Sequence, residues 1–503
     1  MLDYNLASMN VQLIPFQPPL PPVVSTIEGN VDYRLLRDQL DFIDQQLSTS
    51  GLENQFLQTD LQAWTKNQKD PSAKALHNRQ LHSRRALRCN IARTLLNEDF
   101  RGFAARLADS ALLQRFCGLS TLEELKVPAK STVQRYAFRW EEQTVRQLVY
   151  QLIATGAQQP EKLHLAAPLD LEFYFVDTTC LAANIHYPVD WVLMRDATGT
   201  LMSAVKLIRQ QGLKQRMEPP EQFITRMNLL CLEMTHARAK SDSQRQRKIT
   251  FRKIDRLVGT VRGHAQRYRD LLDRDWQQTQ WTRPQTEQVL RRIDQVLDLL
   301  PKARKQARQR IISGILVDSK EKILSLYEPE ARVIVRHKAG AEVEFGNTLL
   351  VGESQQGVIL DWKLFEESAP ADAKLLLPSL DRVKSALGQA PKAVATDRGF
   401  DSESNRNGLA KRGIYEGLCP REPQRLKQRN GSWKFRSLQK RRGQTEGRIA
   451  ILKNNFLGQP LRTKGFAGRN LSVTWAVLTH NLWVIARLRQ KELALAATKA
   501  KAA

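Results

Sequence analysis

Leu171-Glu172-Phe173-Tyr174-Phe175-Val176-Asp177-Thr178-Thr179 is the stretch on which the reading of this chain turns. Apolar and aromatic residues run up to Asp177, and small hydroxyl residues follow. The pattern predicts a short buried strand, Leu171 to Val176, that delivers one carboxylate to its end. A carboxylate placed this way suits a metal ligand or a catalytic acid or base. The plainer reading of the same Asp is a turn starter or a helix cap.

Working outward, the arrangement recurs. Ala393-Val394-Ala395-Thr396-Asp397-Arg398-Gly399-Phe400 is a second apolar run ending in Asp, with Gly399 permitting a tight turn. A third acid, Glu446, lies in Arg441-Arg442-Gly443-Gln444-Thr445-Glu446-Gly447-Arg448. An isolated carboxylate among cations ordinarily pairs with them. It also suits the last ligand of a metal site that must hold a polyanion.

Between the first two acids the pattern changes twice. From about Leu201 to Ile312 the chain is charged and helical, with Val289, Ile293, Val296, Leu297 and Leu300 as an apolar stripe. This predicts a helical insertion that grips DNA, contacts another subunit or is simply a solvated bundle. Strand signals return at Ile315 to Val317, Lys322 to Leu326, Val333 to Val335, Val343 to Val351 and Gly357 to Leu364. Pro378 to Leu387 and Ser402 to Lys411 read as helices, with the Ala393 to Ala395 strand between them.

The chain has 503 residues, enough for roughly two to four domains with real cores. Its 78 Lys and Arg against 52 Asp and Glu give a formal charge of +26, which argues for a polyanionic partner, nucleic acid first. No long uncharged apolar run or signal peptide speaks for a membrane role. Cys89, Cys117, Cys180, Cys231 and Cys419 are far apart and in no zinc spacing, so reduced thiols are expected. Cys180 stands near Asp177, but its apolar setting argues against a nucleophile.

Charge is concentrated. Arg421 to Asn470 holds 14 Lys or Arg and two acids, nearly half of the net charge in a tenth of the length. Trp433 and Phe435 interleave with Lys434 and Arg436, which suits phosphate contacts with base or sugar stacking. Upstream, Tyr33, Leu36, Leu40 and Ile43, then Leu87, Ile91 and Leu95, predict helices. Ser131 reads as the N-cap of a short helix presenting Gln134, Arg135 and Arg139, either a reader of DNA ends or part of an ordinary basic bundle. The Pro15 to Pro22 region predicts an extended arm, and His480-Asn481 a buried hydrogen-bonding pair.

On these residues the chain resembles the DDE-type insertion-sequence transposases of bacteria, from about Arg84 to Arg487. The matching pieces are Asp177-Thr178-Thr179 with Ala183 to Asp190, Val343-Glu344-Phe345-Gly346, Thr396 to Phe400, the Glu446 segment and Leu478 to Leu482. A branch of that family carries a Tyr-Arg-Glu-Lys signature. Its spacing falls here on Gln439, Arg442, Glu446 and Lys453, so Gln replaces the Tyr.

The resemblance implies an α/β architecture: a ribonuclease-H-like catalytic domain interrupted by a helical insertion and preceded by an all-α, helix-turn-helix-like DNA-binding domain. The expected bounds are an arm at 1–28, the DNA-binding domain at 29–160, the catalytic domain at 161–200 and 313–490, the insertion at 201–312 and a disordered tail at 491–503.

It further implies metal-dependent cleavage at transposon DNA ends and strand transfer into target DNA. Asp177, Asp397 and Glu446 would be the catalytic carboxylates and would hold two Mg²⁺ (or Mn²⁺) ions, which favour a few hard oxygen ligands. Arg398, Arg442, Arg448 and Lys453 would hold DNA beside them, and Gln134, Arg135 and Arg139 would read the ends. Double-stranded DNA, a homodimer or larger assembly, and a nucleoid-associated place in the bacterial cytoplasm complete the expectation. A domesticated, non-catalytic DNA-binding descendant and a nuclease that cuts without joining are the alternatives.

Overall fold

The computed structural model describes residues 23–120, 125–237, 242–338 and 341–502. Most of the expected N-terminal arm, including its prolines, lies outside them. Seven helices come first: α1 (Val31–Thr49), α2 (Leu52–Thr65), α3 (Ala73–Leu95), α4 (Phe100–Asp109), α5 (Ala111–Phe116), α6 (Lys130–Ala137) and α7 (Glu142–Gln158). Of the apolar spacing read from the sequence, Leu40, Ile43, Leu87 and Ile91 are fully buried and Leu36 and Leu95 pack partly, while Tyr33 is exposed. The N-cap of α6 is Ala129, without a side-chain hydrogen bond, and not Ser131, because the helix already begins at Lys130.

A mixed sheet follows. β1 (Phe173–Ala182) is its centre, flanked on one side by antiparallel β3 (Ala341–Glu353) and on the other by parallel β5 (Ala393–Thr396). β6 (Tyr415–Leu418) extends the parallel side. The far edge of β3 is shared by β2 (Arg332–Lys338) and β4 (Ile359–Leu364), both antiparallel to it.

β1 is longer than the sequence implied. Asp177 is not its end but its middle, paired with Val351, and the ladder continues to Ala182 opposite Gly346. Thr178 and Thr179 are β-branched and fit a strand, and pairing with β3 carries β1 past Asp177. Two glycines of β3 let β1 approach. A Cβ on Gly346 would stand 1.9 Å from Leu181 O, and one on Gly352 would stand 1.7 Å from the Tyr174 hydroxyl. Ile315 to Val317 and Lys322 to Leu326, expected as strands, join no ladder. Leu324 and Leu326 are buried by side-chain packing instead.

Between β1 and β2 stand α8 (Asp190–Gln210), α9 (Pro220–His236), α10 (Ser243–Asp275) and α11 (Arg283–Arg308). They form a body with its own core, including Trp191, Met194, Met227, Ile254, Ile293 and Leu300. The boundary expected at 200/201 therefore falls inside α8, whose first turns already pack in this core.

The remaining helices are α12 (Leu376–Leu387), α13 (Glu403–Lys411), α14 (Pro423–Arg429), α15 (Trp433–Ile451) and α16 (Phe466–Ala502). α16 ties the rest together. One apolar core runs from Leu40 in α1 through Trp362 in β4 to Trp475 and Ile485 in α16. The N-terminal helices are thus fused to the sheet through a shared core. The amide of Asn481 pairs with Ile359 N and O at 2.8 and 2.9 Å, and buried His480 lies 3.4 Å from Asn481 Oδ1. Beyond Glu492 the chain stays helical to Ala502 and is not a structureless tail, since Ala, Leu and Lys are strong helix formers. No helix among the described residues is long and apolar enough to cross a membrane.

Candidate active site

Register places the first two acids side by side. In the parallel β1–β5 pair Phe175 stands opposite Ala395, so two residues further on Asp177 meets Asp397 at the point where β5 ends. Asp397 caps the short 3-10 turn Arg398–Phe400 and accepts from Gly399 N at 2.9 Å. Asp177 accepts from its own neighbour, Thr178 N, at 2.7 Å.

The third acid comes from α15, which the buried residues Phe435, Leu438, Arg441, Thr445 and Ile449 hold in place. Arg441 donates to Glu353 Oε1 at 2.9 Å, to Ser354 O at 2.8 Å and to Gln355 O at 2.9 Å. Thr445 donates to the same Glu353 oxygen at 2.8 Å. This clamp fixes the rotation of the helix. Residues 442 and 446 lie one step of about 100° round from 441 and 445 and face the Asp177 side. Gln439, where the resembled signature has Tyr, donates to Thr396 O at 3.1 Å and to Gly417 O at 2.6 Å, tying α15 to the ends of β5 and β6 beside Asp397.

The electrostatics follow. The Asp177 carboxyl is pushed up from 3.8 to about 6, first by burial and then by the Asp397 charge. Glu446 adds to the rise; the Thr178 amide and Arg442 oppose it. No Lys or Arg nitrogen among the described residues lies within 4 Å of either Asp. Arg442 Nη1 is 4.0 Å from Glu446 Oε1, its Nε is buried without a partner, and the Glu446 side chain is 65 % exposed. Lys453, in a π-helical turn (Leu452–Leu457) after α15, donates to Thr179 Oγ1 at 3.2 Å.

Three acids therefore line one side of the sheet without closing on a point. Among the described residues no three His, Cys, Asp or Glu side chains are placed to hold a metal ion as they stand. The donor set nonetheless suits a hard divalent cation. It is all carboxylate oxygen, and a bound cation would offset both the burial and the Asp397 charge that raise Asp177. Comparison with known protein families, curated sequences and solved structures gives no match.

Among the expected DNA contacts, Arg398 is exposed beside Asp397. Arg448 turns away: two residues past Glu446 it is on another face of α15, 3.9 Å from Glu353 and packed under Gly357. Gln134 and Arg135 are exposed on α6, Arg135 donating to Thr132 Oγ1 at 3.0 Å. Arg139 lies past the end of α6 and turns inward, stacking on Trp140 and donating to Ser83 Oγ at 2.9 Å. It is half-buried against Trp140, unlike the exposed Gln134 and Arg135.

Sequence reasoning missed Asp372. Its Oδ1 accepts from Thr178 Oγ1 at 3.0 Å, and a Cβ on Gly399 would stand 2.8 Å from Asp372 Oδ2 and 3.1 Å from Asp397 Oδ1. No periodicity marked it, since it opens a single 3-10 turn (Asp372–Lys374) after a run of Ala, Pro and acids.

Proposed function

We propose that the chain is a DDE-type transposase working on a ribonuclease-H-like sheet, with Asp177, Asp397 and Glu446 as its catalytic carboxylates. The observation that carries this reading is the side-by-side placement of Asp177 and Asp397, half-buried at the end of the parallel β1–β5 pair and without a salt bridge among the described residues, under a helix that presents Glu446 and Arg442. Among the described residues the buried carboxylates Glu53, Asp60, Asp190, Glu328, Glu353, Asp361 and Asp401 have Arg partners.

Asp177 and Asp397 would hold the ions, and Glu446 would complete the set by a change of side-chain rotamer, for which its exposure leaves room. Bound Mg²⁺ or Mn²⁺ supplies activation of water and relief of charge on the phosphate. Arg442 and Lys453 hold the strand on either side of Glu446. The bare strip at Gly443 and Gly447, where an added Cβ would meet nothing within 4 Å, lets a DNA backbone come close.

In the first step a water oxygen bonds to phosphorus, the bond from phosphorus to the 3′ oxygen breaks, and a 3′-hydroxyl is freed. In the second that hydroxyl attacks a target phosphodiester in the same site, expelling the target's own 3′ oxygen. Double-stranded ends and target DNA, and a dimer or larger assembly in the bacterial cytoplasm, belong to this reading.

The test is divalent-metal-dependent nicking of duplex DNA carrying the element's ends. Asp177→Asn keeps the shape but loses the charge, so nicking is expected to vanish while duplex binding survives. Nicking near the wild-type rate sinks the assignment. Nicking by wild type without joining to target in a strand-transfer assay favours a plain nuclease.

A further inference from the structure

A second cleft, of about 600 Å³, opens where the N-terminal helices meet the segment after the π-helical turn. Its walls are the α3–α4 junction, α6, and residues 456–464. Leu461 N bonds Ala182 O at 3.2 Å, so the cleft lies just past the end of the strand that carries Asp177.

The charges in it do not balance. Arg93, Lys130, Arg462 and Lys464 line the cleft, and among the described residues none of them has a carboxylate partner within 4 Å. Two acids stand at the rim, and the Asp99 charge reaches Arg462 without closing to a salt bridge. Glu98 pairs with Arg106 at 3.0 Å, and Asp99 caps α4 by accepting from Arg101 N and Gly102 N at 2.8 and 2.7 Å. Arg93 lies with its guanidinium 4.9 Å over the Phe100 ring, and its Nε is buried with no hydrogen-bond partner. Burial, and after it the nearby Arg462 charge, holds the Arg93 guanidinium down at about 10. A half-buried cation facing a second cation is costly unless an anion joins them.

The apolar half is aromatic. Phe100 and Phe138 stand with ring centroids 6.4 Å apart, and the Phe138 side chain is 47 % exposed. Cations beside an exposed ring, here Phe138, with Phe100 already carrying Arg93 on one face, suit a phosphate and its base together. The bases of an intact duplex are stacked on one another and offer no free face, and a cleft of this size matches one ligand of small-molecule dimensions.

We propose that this cleft binds an unpaired nucleotide of a DNA strand, its phosphate between Arg93 and Arg462 and its base against Phe100 and Phe138. The proposal rests on the reading of the chain as a DNA enzyme and adds a single-strand site next to the catalytic one. Gln134, expected to read DNA ends, lines this cleft.

Anisotropy of a labelled single-stranded oligonucleotide over a salt series tests it, with the same sequence as a duplex alongside. Arg462→Ala and Arg93→Met are each expected to weaken single-strand binding about tenfold or more and to reduce the log–log salt slope by about 0.7 per lost contact. Phe138→Ala is expected to weaken it with the slope unchanged. dAMP should displace the oligonucleotide at lower concentration than inorganic phosphate does.

Unchanged single-strand affinity in folded Arg462→Ala overturns the proposal, and that residue is exposed enough to decide the matter alone if Arg93→Met does not fold. Equal losses on single strand and duplex, or equal displacement by dAMP and phosphate, overturn it too. Nicking of duplex ends by the same preparations reports separately on the acids. Nicking without single-strand binding removes this inference only, and single-strand binding without nicking removes the catalytic reading only.

Discussion

Two neighbouring faces of α15 treat carboxylates in opposite ways. On one, Glu353 is 3 % exposed and meets Arg441 at 2.9 Å, with Thr445 on the same oxygen. Asp361 on β4 is of the same kind, fully buried with Arg382 and Ser379 upon it. On the other face, Asp177 and Asp397 are partly buried, adjacent and short of cations, and Asp177 is raised to about 6. The difference teaches how to sort acids in a basic chain. Those with an Arg and hydrogen bonds at hand are scaffold. Those held together without one are poised for a ligand that brings positive charge.

The largest effect expected from this contrast is on the scaffold side. Arg441→Met takes the nearer cation from buried Glu353 and leaves it Thr445 and Arg448 at 3.9 Å, and should cost about 3 kcal/mol of folding stability by urea unfolding. Adding Glu353→Gln should recover a good part of that, since the two residues act as a unit. A loss below about 1 kcal/mol for the single variant, the range of a surface pair, would erase the distinction.

Asp177 should behave in the reverse sense. A folded carboxyl held up near 6 contributes stability that is fully present below its unfolded value of 3.8 and is lost as pH rises through about 6. Asp177→Asn should therefore be more stable than wild type at neutral pH, by on the order of 2 kcal/mol. The gap should close as pH falls toward 4. Mg²⁺ at neutral pH should also narrow it, by stabilising wild type alone. A gap in melting temperature that ignores both pH and Mg²⁺ breaks the comparison.

The smallest effect separates two arginines of one helix. Arg442→Ala should reduce the log–log salt slope of duplex binding by about 0.9, and Arg448→Ala, which faces Glu353, should leave the slope alone. Equal slopes for the two variants would mean that the faces of α15 are not distinguished by DNA.

Much of this was legible from local pattern. Asp177 and Asp397 stood out because apolar runs ended at each, and Ile293, Val296 and Leu300 announced the helical body by spacing alone. What escaped depended on partners distant in sequence. β1 passes Asp177 because β3 continues beside it. The segments at 315–317 and 322–326 looked like strands, yet no ladder receives them. Arg139 and Arg448 read as surface cations until Trp140 and Glu353 were seen beneath them. That Glu446 lies on the helix over the two Asp side chains is legible from its motif, but not its outward turn, which the clamp at Arg441 and its pairing with Arg442 set.

The helical body between β1 and β2 has a consequence for how the protein assembles itself. Asp177 must wait for Val351 and then Asp397 to emerge, so its neighbourhood is built from contacts distant in sequence, the slow kind. The helices have a core of their own, and the chain leaves and returns at one place, where Ala183 packs with Leu324 and Ala331. Once folded, they act as a clasp that closes the long loop in advance and lowers the entropy cost of joining β1 to β3. A chain that shortened this body while keeping its exit and return together would retain the route to the site; one that unravelled it would lose the order of assembly before it lost any carboxylate.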